Sequence, residues 1–140
     1  MKTVGRPMLA ATLAMVVTAI GFAAPSQADD PVMHQVRYVI TSANPIYADI
    51  YYLDQQPDKF SDYSHNTYQF TPNVQADIAP GHPWVSPVVM LSDPNDYAMV
   101  TVSTGTEPGT PQFHCALVVD GAVVVSNDGA KGVLCSLRSW

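Results

Sequence analysis

Two cysteines and four histidines are the side chains of this 140-residue chain best suited to hold a metal or attack a substrate, and their spacing favours neither role. His34, His65, His82 and His114 fall in four separate segments without an H-x-H or H-x-x-x-H pair, so no local nucleus of a transition-metal site exists. Cys115 and Cys135 form no C-x-x-C, and His114 is the only histidine near either of them in sequence. Asp93-Pro94-Asn95-Asp96 and Asn127-Asp128-Gly129 offer oxygen ligands but lack the rhythm of a calcium loop; both read as turns closed by Asx hydrogen bonds. Neither G-x-S-x-G nor S-x-x-K occurs. The expectation is a chain with no catalytic residue, no metal and no cofactor, hence not an enzyme.

What remains is aromatic. Tyr47, Tyr51, Tyr63 and Tyr68 fit an outward-facing set, and Tyr38, Tyr52, Trp84 and Phe113 fit the core. Tyrosine and tryptophan on a rigid surface suit contact with a protein or an apolar ligand. Tyr47, Tyr51 and Trp84 are the candidate ligand or partner contacts.

The elements that must position them begin after an export signal. Lys2 and Arg6 precede an uncharged, mostly apolar stretch from Met8 to Ala24, followed by Pro25-Ser26-Gln27-Ala28. This is the order of a cleavable signal peptide, with processing expected after Ala28. The alternative is an uncleaved anchor; the stretch is at the short end of what spans a bilayer, and membrane contact is expected only if it is kept. Residues 29–140 then form a single domain. They carry four basic residues (Arg37, Lys59, Lys131, Arg138) against twelve acidic ones, a formal charge of −8. Such a chain repels nucleic acid and anionic headgroups. Localisation is expected to be secreted, or periplasmic in the cell envelope.

Residues 29–140 are rich in Val, Tyr, Thr and Ile and are punctuated by Pro, Gly, Asn and Asp. Alternation predicts strands over 35–43, 46–53, 66–70, 74–79, 84–91, 97–103, 112–119, 122–126 and 132–138. Residues 54–65 read as a loop and 92–95 and 127–129 as turns, and Pro87 marks an edge or bulge. Asp120-Gly121 between apolar runs predicts a two-residue type I′ hairpin, since both turn positions need positive φ. With that turn, Val119 should face Ala122, Leu117 face Val124, and Cys115 face Ser126. About seven to nine short strands make an all-β fold, most economically an antiparallel Ig-like sandwich; a small β-barrel is the alternative.

In an oxidising compartment Cys115 and Cys135 are expected to form one structural disulfide. A simple meander would put them roughly 10 Å apart, beyond the reach of an S–S bond. The last strand must therefore cross over, either to the free edge of 112–119 or to the opposite sheet. Phe113, Cys115, Leu117 and Val119 on one side, and Val133, Cys135 and Leu137 on the other, should then be core.

Three motifs stand in order: Ala48-Asp49-Ile50-Tyr51-Tyr52-Leu53-Asp54, Pro83-Trp84-Val85-Ser86, and Cys115-Ala116-Leu117-Val118-Val119-Asp120-Gly121 with a final Cys135. Together they resemble the soluble domain of the mycobacterial small membrane proteins called MmpS, over about residues 36–138. The resemblance implies an Ig-like sandwich, a disulfide between Cys115 and Cys135, a turn at Asp120-Gly121 and a packed Trp84, none of them catalytic. MmpS proteins keep an N-terminal anchor and work beside a large exporter; a chain cleaved after Ala28 would be a secreted relative. The expected function is an exported, non-enzymatic binding or accessory module whose partner is a protein or an apolar envelope molecule. A purely structural secreted protein and an envelope-directed hydrolase are the alternatives.

Overall fold

The computed structural model describes residues 30–139; the expected signal segment and the processing site after Ala28 lie outside the described residues. Two antiparallel sheets face each other as a sandwich, and neither closes into a barrel. The first contains β1 (His34–Ser42), β4 (Trp84–Val85), β5 (Val89–Leu91), β7 (Phe113–Val119) and β8 (Ala122–Gly129), in the order β4-β1-β7-β8 with β5 also on β1. The second contains β2 (Ile46–Tyr52), β3 (Asn73–Ile78), β6 (Met99–Ser103) and β9 (Gly132–Ser136), in the order β3-β2-β6-β9.

The core follows from alternation. Val36, Tyr38 and Ile40 of β1 and Phe113, Cys115 and Leu117 of β7 turn inward against Ala48 and Ile50 of β2 and Val100 and Val102 of β6, all of them buried. Tyr38 brings a polar atom into this layer and satisfies it. Its hydroxyl donates to the Leu53 carbonyl at 2.7 Å, and burial pushes its phenol well above the usual range, so it stays a donor.

The segment 84–91 is divided at Pro87. Proline offers no N–H, and Ser86 compensates. Its N–H donates to the Tyr38 carbonyl at 2.9 Å, and its hydroxyl accepts from the Tyr38 N–H at 3.0 Å.

Four expectations are corrected. Residues 66–70 are not a strand: α1 (Phe60–His65) and α2 (Thr67–Phe70) occupy the stretch read as loop and strand. Phe60, Tyr63, Thr67 and Phe70 have helical spacing, and Tyr63, expected to face outward, is buried with Phe70. Residues 94–97 form a helical turn, α3 (Pro94–Tyr97), with Asp93 accepting from the Asp96 N–H at 3.3 Å, so β6 begins only at Met99. Asn127-Asp128-Gly129 continues β8 rather than turning. The hairpin register also slips. Asp120 and Gly121 carry φ of 51° and 84°, and Val119 faces Ala122, but Leu117 pairs with Val125 and Cys115 with Asn127. A bulge between Leu117 and Val118 inserts the extra residue.

The last strand crosses to the opposite sheet. β9 pairs with β6, Val100 opposite Cys135, and the Cys115–Cys135 disulfide spans the two layers with Cα atoms 6.1 Å apart. Val133 and Cys135 are buried, whereas Leu137, expected in the core, lies beyond the strand end and is exposed. Val119 is only half-buried, at the rim beside the turn.

Candidate functional site: a tyrosine-bearing face of the second sheet

The inward set of β2 (Ala48, Ile50) leaves Tyr47, Asp49 and Tyr51 on the outer face. Register places Gln75 beside Asp49, Asn73 beside Tyr51, and Thr101 of β6 beside Tyr51 on its other flank. The two short helices then build a wall at one end. Tyr68 of α2, 79% exposed, stands over Tyr51 with ring centroids 6.2 Å apart. Tyr63 backs this wall and packs against Phe70 at 6.4 Å and Tyr97 at 6.3 Å. Phe60 continues the cluster under the Arg138 guanidinium, 4.3 Å above its ring.

The result is an open groove of about 410 Å³ lined by Tyr51, Tyr63, Thr67, Tyr68, Met99 and Thr101, among others. Burial pushes the Tyr63 phenol up despite the opposing pull of Arg138, so it faces the groove wall as a neutral group. A second concavity of about 360 Å³ lies at the other end of β2, around Tyr47, Asp49, Gln75, Thr104, Thr106 and Glu107. Here the Tyr47 hydroxyl donates to Gln75 Oε1 at 3.2 Å, and Asn73 Nδ2 donates to Asp49 Oδ1 at 2.6 Å.

The three candidate contacts are thus not one site. Tyr47 and Tyr51 share a face at opposite ends of β2. Trp84 does not join them: it pairs with the inward-facing Ile40, and its half-buried ring packs on Tyr52 at 5.3 Å. Tyr68, Tyr63 and Met99 complete the groove and were not singled out as contacts. The helical spacing of Phe60, Tyr63 and Phe70 was the available signal.

The histidines stay apart, and among the described residues no three His, Cys, Asp or Glu side chains come together as a metal site. Two of them find single carboxylates: His34 Nδ1 lies 2.6 Å from Asp120 Oδ2, and His114 Nδ1 lies 2.7 Å from Asp128 Oδ1. Asp120 Oδ1 also accepts from the Gln35 N–H at 2.9 Å. The His34 hydrogen bond, then the Gln35 amide, hold the Asp120 carboxyl below its ordinary value of 3.8. A lowered carboxyl stabilises the fold at neutral pH and loses that contribution as pH falls through and below 3.8. Asn tolerates the same positive φ, so Asp120→Asn isolates the charge. Its urea midpoint is expected below that of the wild type at pH 7, and the two should converge in acid. A gap that persists in acid would assign the effect to something other than the carboxylate.

Residues 38–135, from the core tyrosine to the second half-cystine, match a family model described as the Rv2576c beta-sandwich domain. Uncharacterized protein Rv2576c of Mycobacterium tuberculosis (strain H37Rv) is 40% identical over 111 residues, which cover 79% of this chain and 71% of that protein. Uncharacterized protein Mb2606c of Mycobacterium bovis shows the same identity and coverage.

Proposed function

The chain belongs to the family of the Rv2576c beta-sandwich domain, and from that premise we propose that it is an exported binding module of the cell envelope that holds its ligand without turning it over. The observation that carries this reading is the groove where the exposed Tyr68 ring stands over the half-buried Tyr51 ring, on a sheet tied to its partner by a disulfide. Aromatic side chains lose little rotamer freedom on binding and offer large contact areas. Tyrosine, threonine and methionine are holding groups; a phenol pushed up by burial, as at Tyr63, is far from the range of a general base at neutral pH. The ligand is an envelope molecule that presents an apolar face to these rings.

Export is supported by the disulfide, which persists in oxidising compartments, and by the order of charge, apolar run and small residues before Asp29. Among the described residues, no helix is long and apolar enough to cross a membrane. The kinship with the soluble domain of MmpS proteins is part of the same proposal, supported by the shared order of the Tyr51 strand, the Trp84 segment and the Cys115–Asp120-Gly121–Cys135 hairpin and bridge.

The test compares immobilised wild type with a Tyr51→Ser/Tyr68→Ser double variant, both exposed to envelope extract, with retained molecules identified by mass spectrometry. The expected result is a component held by the wild type and lost from a variant that still melts as a folded protein. Identical retention by both would sink the reading.

A further inference from the structure

We infer that the ligand of this face is a neutral oligosaccharide lying along β2, an inference that rests on the binding reading above and adds the chemistry of what is bound. The face has an aromatic–polar–aromatic order. Tyr47, Asp49 and Tyr51 alternate with the buried Ala48 and Ile50, and residues four apart on a strand stand roughly 13 Å from each other. Between the two rings, Asn73 fixes the Asp49 carboxylate, and Gln75 fixes the Tyr47 hydroxyl. Each of these pairs keeps hydrogen-bonding capacity for a ligand: the second carboxylate oxygen of Asp49, and the amide group of Gln75.

A sugar ring has the complementary anatomy. Its C–H groups form an apolar face that lies on an aromatic ring, and its rim of hydroxyls both donates and accepts. Sites of this composition, aromatic surface with a few placed polar groups, fix both position and orientation. Other ligands fit less well. An acyl chain crossing from Tyr51 to Tyr47 would cover Asp49 and Asn73 with hydrocarbon, and burying such groups without partners is costly. A polyanion would meet Asp49, Asp77 and Glu107 on a chain that is acidic throughout. An extended peptide draws its affinity from main-chain bonding at a sheet edge, and β2 is interior, flanked by β3 and β6. The concavities at both ends of the strand call for a chain of several linked sugars rather than one.

The test titrates the exported protein with linear neutral glucan and mannan oligosaccharides of two to six sugars, alongside a hexauronate and phosphatidylcholine vesicles. A neutral hexasaccharide is expected to bind more tightly than the disaccharide. Replacing the exposed Tyr68 (Tyr68→Ala) should weaken both by about tenfold, the worth of one aromatic contact. Tyr47→Ala should erase only the gain from disaccharide to hexasaccharide. Affinity independent of chain length, or no binding to any neutral oligosaccharide of the series, overturns the inference. If vesicles bind instead and Tyr68→Ala weakens them, the sugar is wrong while the binding reading stands. If no probe binds and envelope capture ignores Tyr51 and Tyr68, both fall.

Discussion

A Cys115→Ala/Cys135→Ala double variant is expected to lose about 3 kcal/mol of stability, read as a lowered urea midpoint, with a slope that rises as the unfolded chain loses its cross-link. The bond closes a loop with a sequence separation of 20, and the chain-entropy account gives a loop of that length about this value. Both cysteines are fully buried, so the variant also leaves a small void where the sulfurs packed. The location magnifies the consequence. Cys115 is in β7 in one sheet and Cys135 near the end of β9 in the other, so the bridge adds a side-chain covalent tie between the layers to the chain's own crossings from sheet to sheet. The wild type unfolded in the presence of reductant should fall to the same midpoint as the double variant. A variant as stable as the oxidised wild type would mean that Phe113, Leu117 and Val133 hold the layers together by packing alone.

The bridge was legible because geometry left few choices: two thiols, an N-terminal segment read as an export signal, and a hairpin that forbade a plain meander. Strands such as β1 and β2 were legible because one face is buried and the other wet, which writes alternation into the residues. The register of β7 on β8 was not. Val123, Val124 and Val125 are identical side chains, so a slip of one residue changes nothing that composition records, and only the bulge decides it. Residues 60–70 failed for a related reason. Five residues, 66–70, fit a strand or a helical turn equally well, and what selects the turn is tertiary: Tyr63 and Phe70 packing against each other and Tyr63 against Tyr97. The groove inherited that failure. Tyr47 and Tyr51 could be placed on one face by counting along β2, whereas the opposite wall at Tyr68 exists only because the chain is helical there. The direction in which Trp84 points was not legible, because it depends on pairing with Ile40, a partner more than forty positions away that no local pattern reveals.

The step from β8 to β9 carries Cys135 into the second sheet, and Gly129→Ala is expected to disrupt it at a cost of about 3 kcal/mol, at the upper end of ordinary overpacking. A Cβ at position 129 would sit 1.8 Å from the Gly132 carbonyl oxygen, 2.9 Å from its carbon and 3.2 Å from Val133 Cβ. The first two are backbone atoms, so no rotamer change relieves the contact; the strand crossing itself must open. Gly121→Ala is the control. A Cβ there would meet nothing within 4 Å, but φ is +84°, so the penalty is conformational alone, about 1 kcal/mol. The two alanine variants add the same methyl group at the two ends of β8, Gly121 just before its start and Gly129 as its last residue, and they separate crowding from backbone preference. Thermal melting should therefore rank them wild type, Gly121→Ala, Gly129→Ala. If Gly129→Ala melts at or above Gly121→Ala, the two strands do not approach as closely as the crossing requires, and the path that brings Cys135 beneath Cys115 must be drawn differently.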